Sequence, residues 1–533
     1  MPRYAYRRFP YAPPPETRGA AGRRAPVAIV GAGPIGLALA IDLALHGVAS
    51  VVLDDNDQVS HGSRAICWAK RTLEIFDRLG VGERMVEKGV TWKVGRLFHG
   101  ARELCRFDLL PERGHNRPAF VNLQQYYVEQ FLVERCADFP RLIDLRWRNR
   151  VTGVAQDDAG ARLDVETPDG PYALAADWVV ACDGAKSQVR EMMGLAFEGR
   201  SFEDRFLIAD VEMKADFPSE RWFWFEPPFH PGQTALLHRQ PDDIFRIDLQ
   251  LGPEADPERE TKPEIVIPRI EKAVDGRPFD LDWVSLYSFR CARLERFVHG
   301  RVLFAGDSAH VVSPFGARGG NGGIHDIDNL GWKLAAVASG EAAPALLESY
   351  CAERRRGADE NIRHSSRATN FMSPRSPGER LFRDETLALA ERHEFARRMV
   401  NSGRLSTPCA LDGMSLQTPD DPEMRGPMRP GTPCADAPVT GGLSRWLLDH
   451  LGGRFTVMGV GVEPPETGMA TLRVGLPGGL ADAERHVAAR YGRGVYLIRP
   501  DQHVAARYAN ADGDALLAAR ERALGAAPAE AAA

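Results

Sequence analysis

The chain has 533 residues, 44% of them hydrophobic and 26% charged, and its 67 Lys and Arg against 73 Asp and Glu leave a net charge of −6. That length holds roughly three domains with real cores, the apolar content excludes disorder over most of the chain, and the near-balanced charge speaks against nucleic acid or an anionic membrane as a partner. The eight cysteines stand singly with no CxxC pair, so neither a zinc ribbon nor a dithiol redox site is expected. Residues 1–10 carry charge and proline but no apolar signal segment, and the most apolar stretch, 27–53, is broken by Gly31, Gly33, Pro34, Gly36, Asp42 and His46. It is no membrane span, and a cytoplasmic protein is expected.

In chain order, residues 1–24 are rich in Pro, Arg and Tyr and read as an N-terminal arm. A short buried strand at 27–30, an apolar helix at 36–47 and a second buried strand at 50–53 follow. Strand, helix, strand with apolar strands predicts parallel pairing through a crossover helix. From 97 to 190 helices and strands mix. The alternation Phe245-Arg246-Ile247-Asp248-Leu249-Gln250-Leu251 marks half-buried strands of a sheet with one wet face. Residues 302–305 return to a buried strand, and a Gly-rich loop and helix come after it. These elements predict a nucleotide-binding domain in two parts, 25–195, which also holds segments of the substrate domain, and 293–365, enclosing a β-rich substrate domain at 196–292. Residues 366–436, turn-rich in Pro, Ser and Gly, read as a connecting region. The last segment, 437–533, reads as a small α/β domain: strand 454–458, helix 480–491, hairpin 494–498 with 503–508, and helix 512–524.

Gly31-Ala32-Gly33-Pro34-Ile35-Gly36 lies between strand and helix. Its glycines allow a tight turn, close approach of a pyrophosphate and close helix packing, while the helix N-terminus supplies free N–H groups. Asp54, at the end of the next strand, is placed to accept from ribose hydroxyls. Two further turns suit phosphate or ribityl contact. One is Cys182-Asp183-Gly184-Ala185-Lys186-Ser187-Gln188-Val189-Arg190. The other is Gly306-Asp307-Ser308-Ala309-His310, leading into Ser313-Pro314-Phe315-Gly316-Ala317-Arg318-Gly319-Gly320-Asn321-Gly322-Gly323.

This motif order, with Asp326-Ile327-Asp328-Asn329-Leu330-Gly331-Trp332-Lys333-Leu334 after it, resembles the flavoprotein aromatic hydroxylases, the family of p-hydroxybenzoate hydroxylase and phenol hydroxylase. The resemblance implies an α/β fold: a Rossmann-type FAD-binding domain, an inserted antiparallel-sheet substrate domain, and a C-terminal thioredoxin-like α/β domain. It implies FAD held by Gly31, Ala32, Gly33, Pro34, Ile35, Gly36, Asp54, Asp183, Gly306, Asp307, Pro314, Gly319, Asn321 and Gly322. By likeness to the family's flavin-side arginine and helix glutamine, Arg64 and Gln125 join them. Arg318 stands where many members have Gln, in a loop where backbone does the binding. A helix beginning near Gly319 would point N–H groups and its positive end at the N1–C2=O edge of a reduced flavin.

The implied activity is a single-component monooxygenase. NADH or NADPH reduces the flavin, O₂ adds to it, and one oxygen atom is delivered ortho or para to the activating group of a phenolic or other electron-rich aromatic. No second GxGxxG helix provides a separate nicotinamide domain. The alternatives are a flavin halogenase or dehydrogenase, or a flavin-binding protein without turnover. No catalytic residue is assigned, because Ile66-Cys67-Trp68, where some members carry an acid, has none. His310 reads as structural. Trp222-Phe223-Trp224-Phe225 reads as core or pocket wall, and it only half resembles the halogenase WxWxxP signature. Arg190, Arg246 and Arg290 are candidates for orienting a substrate anion, each set against a surface or ion-paired charge. Without a CxxC, the C-terminal unit is expected to serve packing and dimer contacts.

Overall fold

The strand Ala25–Val30 is buried almost throughout, which requires cover on both faces and neighbours on both edges. A computed structural model supplies them, describing residues 4–18, 24–62, 64–400 and 406–526, without the side chains of 203 and 204. Parts of the expected arm, connecting region and C-terminal segment (1–3, 19–23, 401–405 and 527–533) lie outside the described residues, as does Ser63. Ala25–Val30 pairs in parallel with Ser50–Asp54 on one side and Gly170–Ala181 on the other. Ile143–Trp147 and Val302–Phe304 extend the parallel array outward. The helix Pro34–Leu45 crosses this sheet and is itself covered by the helix Gly319–Ala338. A Cβ on Gly331 would run into the Asp42 carboxylate of the first helix, so the backbone of the later helix rests against that side chain.

A second eight-stranded sheet runs in the order His310–Val311, Asp280–Arg293, Glu198–Glu212, Ile244–Leu251, Thr234–Arg239, Glu220–Phe225, Val94–His99, Arg102–Asp108. Its pairings are antiparallel except that of Glu220–Phe225 with Val94–His99. One face packs Leu207, Ala209, Phe245 and Ile247 against Val266 and Ile270 of the helix Pro263–Ala273. Trp222 and Trp224 lie with that face, Trp224 stacked on Phe98. The other face turns towards the first sheet. The short sheet of Cys67–Ala69, Phe120–Asn122 and Val90–Trp92 bridges the two.

The described arm is docked, with Phe9 stacked on Trp147 at 4.6 Å and Glu16 paired to the buried Arg146. The structure departs from the turn-rich reading of 366–436 over its first half. One helix runs Leu346–Met372, and Pro377–Ala390 and Glu394–Val400 follow. Pro377 starts a helix here: Ser376 caps it, Glu379 completes the capping box, and proline occupies the first turn, where no N–H is missed. The last unit carries a four-stranded mixed sheet, Ala470–Val474, Thr456–Val460, Gly494–Ile498 and Val504–Tyr508, and the helix Gly513–Ala523. Its expected helix 480–491 shortens to His486–Tyr491, because Arg485 is left-handed at φ 57° and Asp482 caps the N–H groups of Val487 and Ala488. Buried charges join this unit to the first domain. Glu353 binds Lys333 at 2.7 Å and Arg499 at 2.8 Å, and Arg499 also pairs with Asp501. No helix among the described residues is long and apolar enough to cross a membrane.

Candidate active site

Gly31 ends the first strand at φ 105°, and a Cβ there would lie 2.6 Å from the Cys182 carbonyl oxygen. Only glycine satisfies both demands. Gly36 backs onto the Gly31 carbonyl with no room for a Cβ. Gly33 between them differs, since nothing lies within 4 Å of where its Cβ would be. Two glycines therefore close the turn, and the third leaves space at the mouth of the helix Pro34–Leu45, where a pyrophosphate can meet unpaired N–H groups.

Ile35 ties this turn to the later ones. A Cβ on Gly306 would be 3.0 Å from its Cγ1, and one on Gly323 would be 2.6 Å from its Cδ1. Gly31 against Cys182, and Ile35 against Gly306 and Gly323, bring all three glycine-bearing segments to one place.

The acids around this space differ in how far they are already engaged. Asp54 accepts the Ala32 N–H at 2.6 Å and the Asn56 N–H at 2.9 Å, and burial raises its pKa. Asp183 accepts the Val189 N–H at 3.0 Å through Oδ2, while its buried Oδ1 has no partner. Burial raises its pKa too. Asp307 is half-buried with its pKa raised by burial, and its carboxylate has no hydrogen-bond partner among the described residues. The Asp307 turn is fixed from behind. Asp326 accepts the Gly306 N–H at 2.9 Å, meets His310 Nε2 at 2.6 Å and accepts from Arg354 Nε at 2.7 Å. Burial opposes its ionisation, but His310 and Arg354 prevail and hold it down to about 2. His310 is buried in this pairing and serves structure.

At the Gly-rich turn, the Asn321 side chain accepts the Ala69 N–H at 2.9 Å and donates to the carbonyls of Cys67 at 2.9 Å and Ala317 at 2.6 Å. It acts as a strand partner for Cys67–Ala69, which leaves its backbone N–H, with those of Gly319 and Gly320, at the open helix start. A Cβ on Gly319 would touch only Val312, at 3.7 Å, whereas Gly322 packs near Asn361 and His310. Pro314 is exposed on the approach. The Arg318 side chain is buried and donates to Asn361 Oδ1 at 2.9 Å, and burial pushes its pKa down to about 10.

Gln125 is engaged at both ends. Its Oε1 accepts the Ala65 N–H at 3.1 Å, and its Nε2 donates to Ser60 Oγ at 3.0 Å and Glu129 Oε1 at 2.7 Å. It thereby holds the loop that carries Arg64. The Arg64 side chain is exposed, and its carbonyl accepts from Arg246 Nη1 at 3.0 Å.

Arg246 is no surface charge. It is 4% exposed and forms a two-pronged pair with Asp210, at 2.8 and 3.0 Å. Arg190 donates to the Ser308 and Ala185 carbonyls, and Arg290 lies exposed over the Phe197 ring. Sequence reasoning missed the neighbours of Arg246. Strand register aligns Arg221 with His238, His238 with Arg246 and Arg246 with Asp210. This polar row crosses the sheet face turned to the first domain, and Asp248 stands one pleat along. Cys67 reaches the row from the other side, its Sγ 3.2 Å from Asn122 Oδ1 and 3.9 Å from His238 Nδ1. Burial raises the Cys67 thiol to about 11 and drives His238 well below the usual imidazole range. The one available signal was the alternation at 245–251, which puts Arg246 and Asp248 on a common face.

Residues 24–365 match the family described as FAD binding domain. The chain is 31% identical over 454 residues to a 3-(3-hydroxy-phenyl)propionate/3-hydroxycinnamic acid hydroxylase of Burkholderia vietnamiensis, covering 83% of this chain and 80% of that one. Among solved structures, the OxyS anhydrotetracycline hydroxylase of Streptomyces rimosus aligns with TM-score 0.71 at 26% identity, over 95% of this chain and all of that one. The flavin-dependent monooxygenase PieE shares the fold at TM-score 0.75 and 24% identity, over 94% of this chain and 99% of that one. With three glycine-bearing turns brought together at one place, the chain belongs to the FAD-binding-domain family and is an FAD-dependent aromatic monooxygenase.

Proposed function

We propose that the enzyme hydroxylates a phenol held on the inward face of the second sheet, with NADH or NADPH as reductant and O₂ as oxidant. The observation that carries this reading is the placement of unspent groups. The space at Gly33, the free carboxylate of Asp307 and the open helix start at Gly319 border one region, and the Arg246 to Arg64 hydrogen bond joins that region to the polar row of the sheet. FAD, when bound, would supply the redox chemistry by which O₂ is activated and one oxygen atom reaches the ring. The chain's own residues do the rest. The turn 31–36 takes the pyrophosphate, Asp54 steadies that turn and faces the ribose, and Asp307 accepts from ribityl hydroxyls. The N–H groups of Gly319, Gly320 and Asn321, at the open helix start, would stabilise negative charge on the bound flavin. Phe206, Phe289 and Phe315 form an apolar wall beside the polar row that keeps water from the reacting ring.

The hydroxylase of B. vietnamiensis is named for phenols that carry an acid side chain, and such compounds head the substrates to be screened. The reading keeps an FAD-binding domain at 25–195 and 293–365 around a substrate domain at 196–292, supported by the partition of most strands between the two large sheets. It also includes a homodimer and a cytoplasmic location, the latter supported by eight unpaired cysteines. The test is NAD(P)H oxidation by the FAD-loaded protein with and without candidate phenols. Stimulation by a phenol with formation of its hydroxylated product is expected. A yellow protein that no phenol stimulates overturns the reading.

A further inference from the structure

Two charged side chains on the inward sheet face have no hydrogen-bond or ion-pair partner among the described residues. Arg221 makes no hydrogen bond or ion pair among the described residues, and its Nε is buried. Asp248 is equally alone, with its Oδ1 buried and unbonded. Their strands, Glu220–Phe225 and Ile244–Leu251, are interior to the sheet and paired on both edges. The partial access that both residues keep therefore comes from the face turned towards the first domain. A guanidinium and a carboxylate that are partly buried without partners are each costly to maintain. Left apart on one face, they match a ligand that gives a proton to one and leaves a negative charge for the other.

The charges around the two groups decide which ligand. Arg246 and Asp210 neutralise each other. His238 and the Cys67 thiol, which close the row, are held neutral by burial. That leaves one positive charge on Arg221 and one negative charge on ionised Asp248. A ring hydroxyl that arrives already ionised would leave this row net negative in a poorly solvated place. A neutral hydroxyl keeps the row balanced, because its charge appears only as Asp248 loses its own. Resting on the phenol reading above, we propose that Asp248 is the base that takes the substrate's hydroxyl proton and that Arg221 holds the phenolate so formed. The phenol O–H bond breaks, an O–H bond forms on the Asp248 carboxylate, and the electron pair stays on the phenolate oxygen, where it enriches the ring carbons ortho and para to it. No redox change accompanies this step. Burial pushes the Asp248 carboxyl up to about 6, with Arg246 and Arg221 working against that rise and Asp210 adding to it. It is thus ionised near neutral pH yet far more basic than an ordinary aspartate.

The experiment compares FAD-loaded wild type, Asp248→Asn and Arg221→Met, using a weakly acidic phenol that stimulates the wild type and a ring-fluorinated analogue acidic enough to be ionised in solution. With Asp248→Asn, kcat/KM for the weak phenol should fall about a hundredfold. The loss should shrink to a few-fold with the acidic analogue, and the acid limb of the wild-type pH profile should disappear. Arg221→Met should weaken both phenols and shift the bound analogue towards its neutral form in difference absorbance. FAD content near one per chain certifies folding, and Asp248→Glu, expected to restore part of the rate, serves if the asparagine variant does not fold. Equal losses for both phenols with Asp248→Asn, or an unchanged acid limb, would overturn the assignment. If no phenol stimulates the wild type, the phenol reading itself has failed, which the variants cannot mimic.

Discussion

A Cβ placed on Gly36 would run into the carbonyl oxygen of Gly31, whereas one placed on Gly33 would meet nothing within 4 Å. The two glycines share one turn, yet they respond to substitution for different reasons. Gly36→Ala attacks the fold and should lower the melting temperature of the flavin-free protein. Gly33→Val meets no protein atom within contact distance at its Cβ, and its backbone at φ −75° suits any residue. Flavin-free Gly33→Val should therefore melt within a degree or two of wild type while failing to take up FAD. Stoichiometric FAD in that variant would remove the turn from the cofactor site.

Asp307 offers a second separation of binding from folding. Its carboxylate bonds to nothing among the described residues, so Asp307→Asn strands no internal partner. A hydrogen bond from a hydroxyl to a carboxylate contributes about 1.5–3 kcal/mol. The variant should bind FAD roughly ten- to a hundredfold more weakly with little change in flavin-free stability. Fluorescence titration of the flavin-free protein with FAD measures this, and unchanged affinity would place Asp307 outside the ribityl contact.

Asp326, at the other face of the same turn, should behave in the opposite way. Its folded pKa is held down to about 2 from 3.8. A depressed acid contributes stability that is present above the unfolded pKa and lost as pH falls through the folded one. The shift corresponds to about 2 kcal/mol. Asp326→Asn should be destabilised in urea at pH 7, with His310 and Arg354 left short of a partner, and its deficit relative to wild type should narrow between pH 4 and pH 2. The comparison must be between the two proteins, because Asp54, Asp183 and Asp307 have pKa values raised by burial and push wild-type stability the other way with pH. A constant deficit across that range would contradict the pairing.

The first glycine turn was legible because geometry demands glycine there at fixed spacing between a strand and a helix. The roles of the Asp326 to Lys333 stretch were not. It reads as a signature beside the cofactor, yet Asp326 anchors a turn, Asp328 pairs with Arg71 and Arg78, and Lys333 binds Glu353. Those partners come from segments far apart in the chain. Pro374 and Pro377 suggested turns, although Pro377 sits where a helix tolerates proline. The alternation at 245–251 announced two faces, but not that the polar one is covered by another sheet. Arg221 and His238 join Arg246 only through strand register, which no single strand encodes.

Arg499 crosses from the C-terminal sheet to Glu353 of the long helix and is fully buried. Removing one member of a buried ion network costs about 3–5 kcal/mol, because the others are left uncompensated. Arg499→Ala should strand Glu353 and Asp501 together, lower the main transition and split off a separate unfolding of the C-terminal unit in calorimetry. Arg499→Met with Glu353→Met, which removes both charges, should recover part of the loss. A single transition at the wild-type temperature for Arg499→Ala would show that apolar contacts such as Trp332 against Phe455 hold the units together unaided.

The docked arm reaches the same loop that carries Arg64. Tyr6 stacks on His61 at 4.1 Å, and its Oη accepts the Gly62 N–H at 3.0 Å. A Cβ on Gly62 would overlap the Trp283 indole, so the loop is gripped between the arm and the second sheet. Tyr6→Phe removes one hydrogen bond of about 1 kcal/mol and keeps the stack. The Gly62 N–H should then exchange with deuterium about fivefold faster, while the sheet amides of Ala25–Val30 stay as protected as in wild type. Tyr6→Ala, which also loses the stack, should speed that exchange further and make the loop at 57–62 more susceptible to proteolysis. FAD content should change little in either variant, since the described contacts of Tyr6 are with the loop, Tyr4 of the arm and Tyr126. Unchanged Gly62 exchange in both variants would mean that Gln125 and Trp283 fix the loop without the arm.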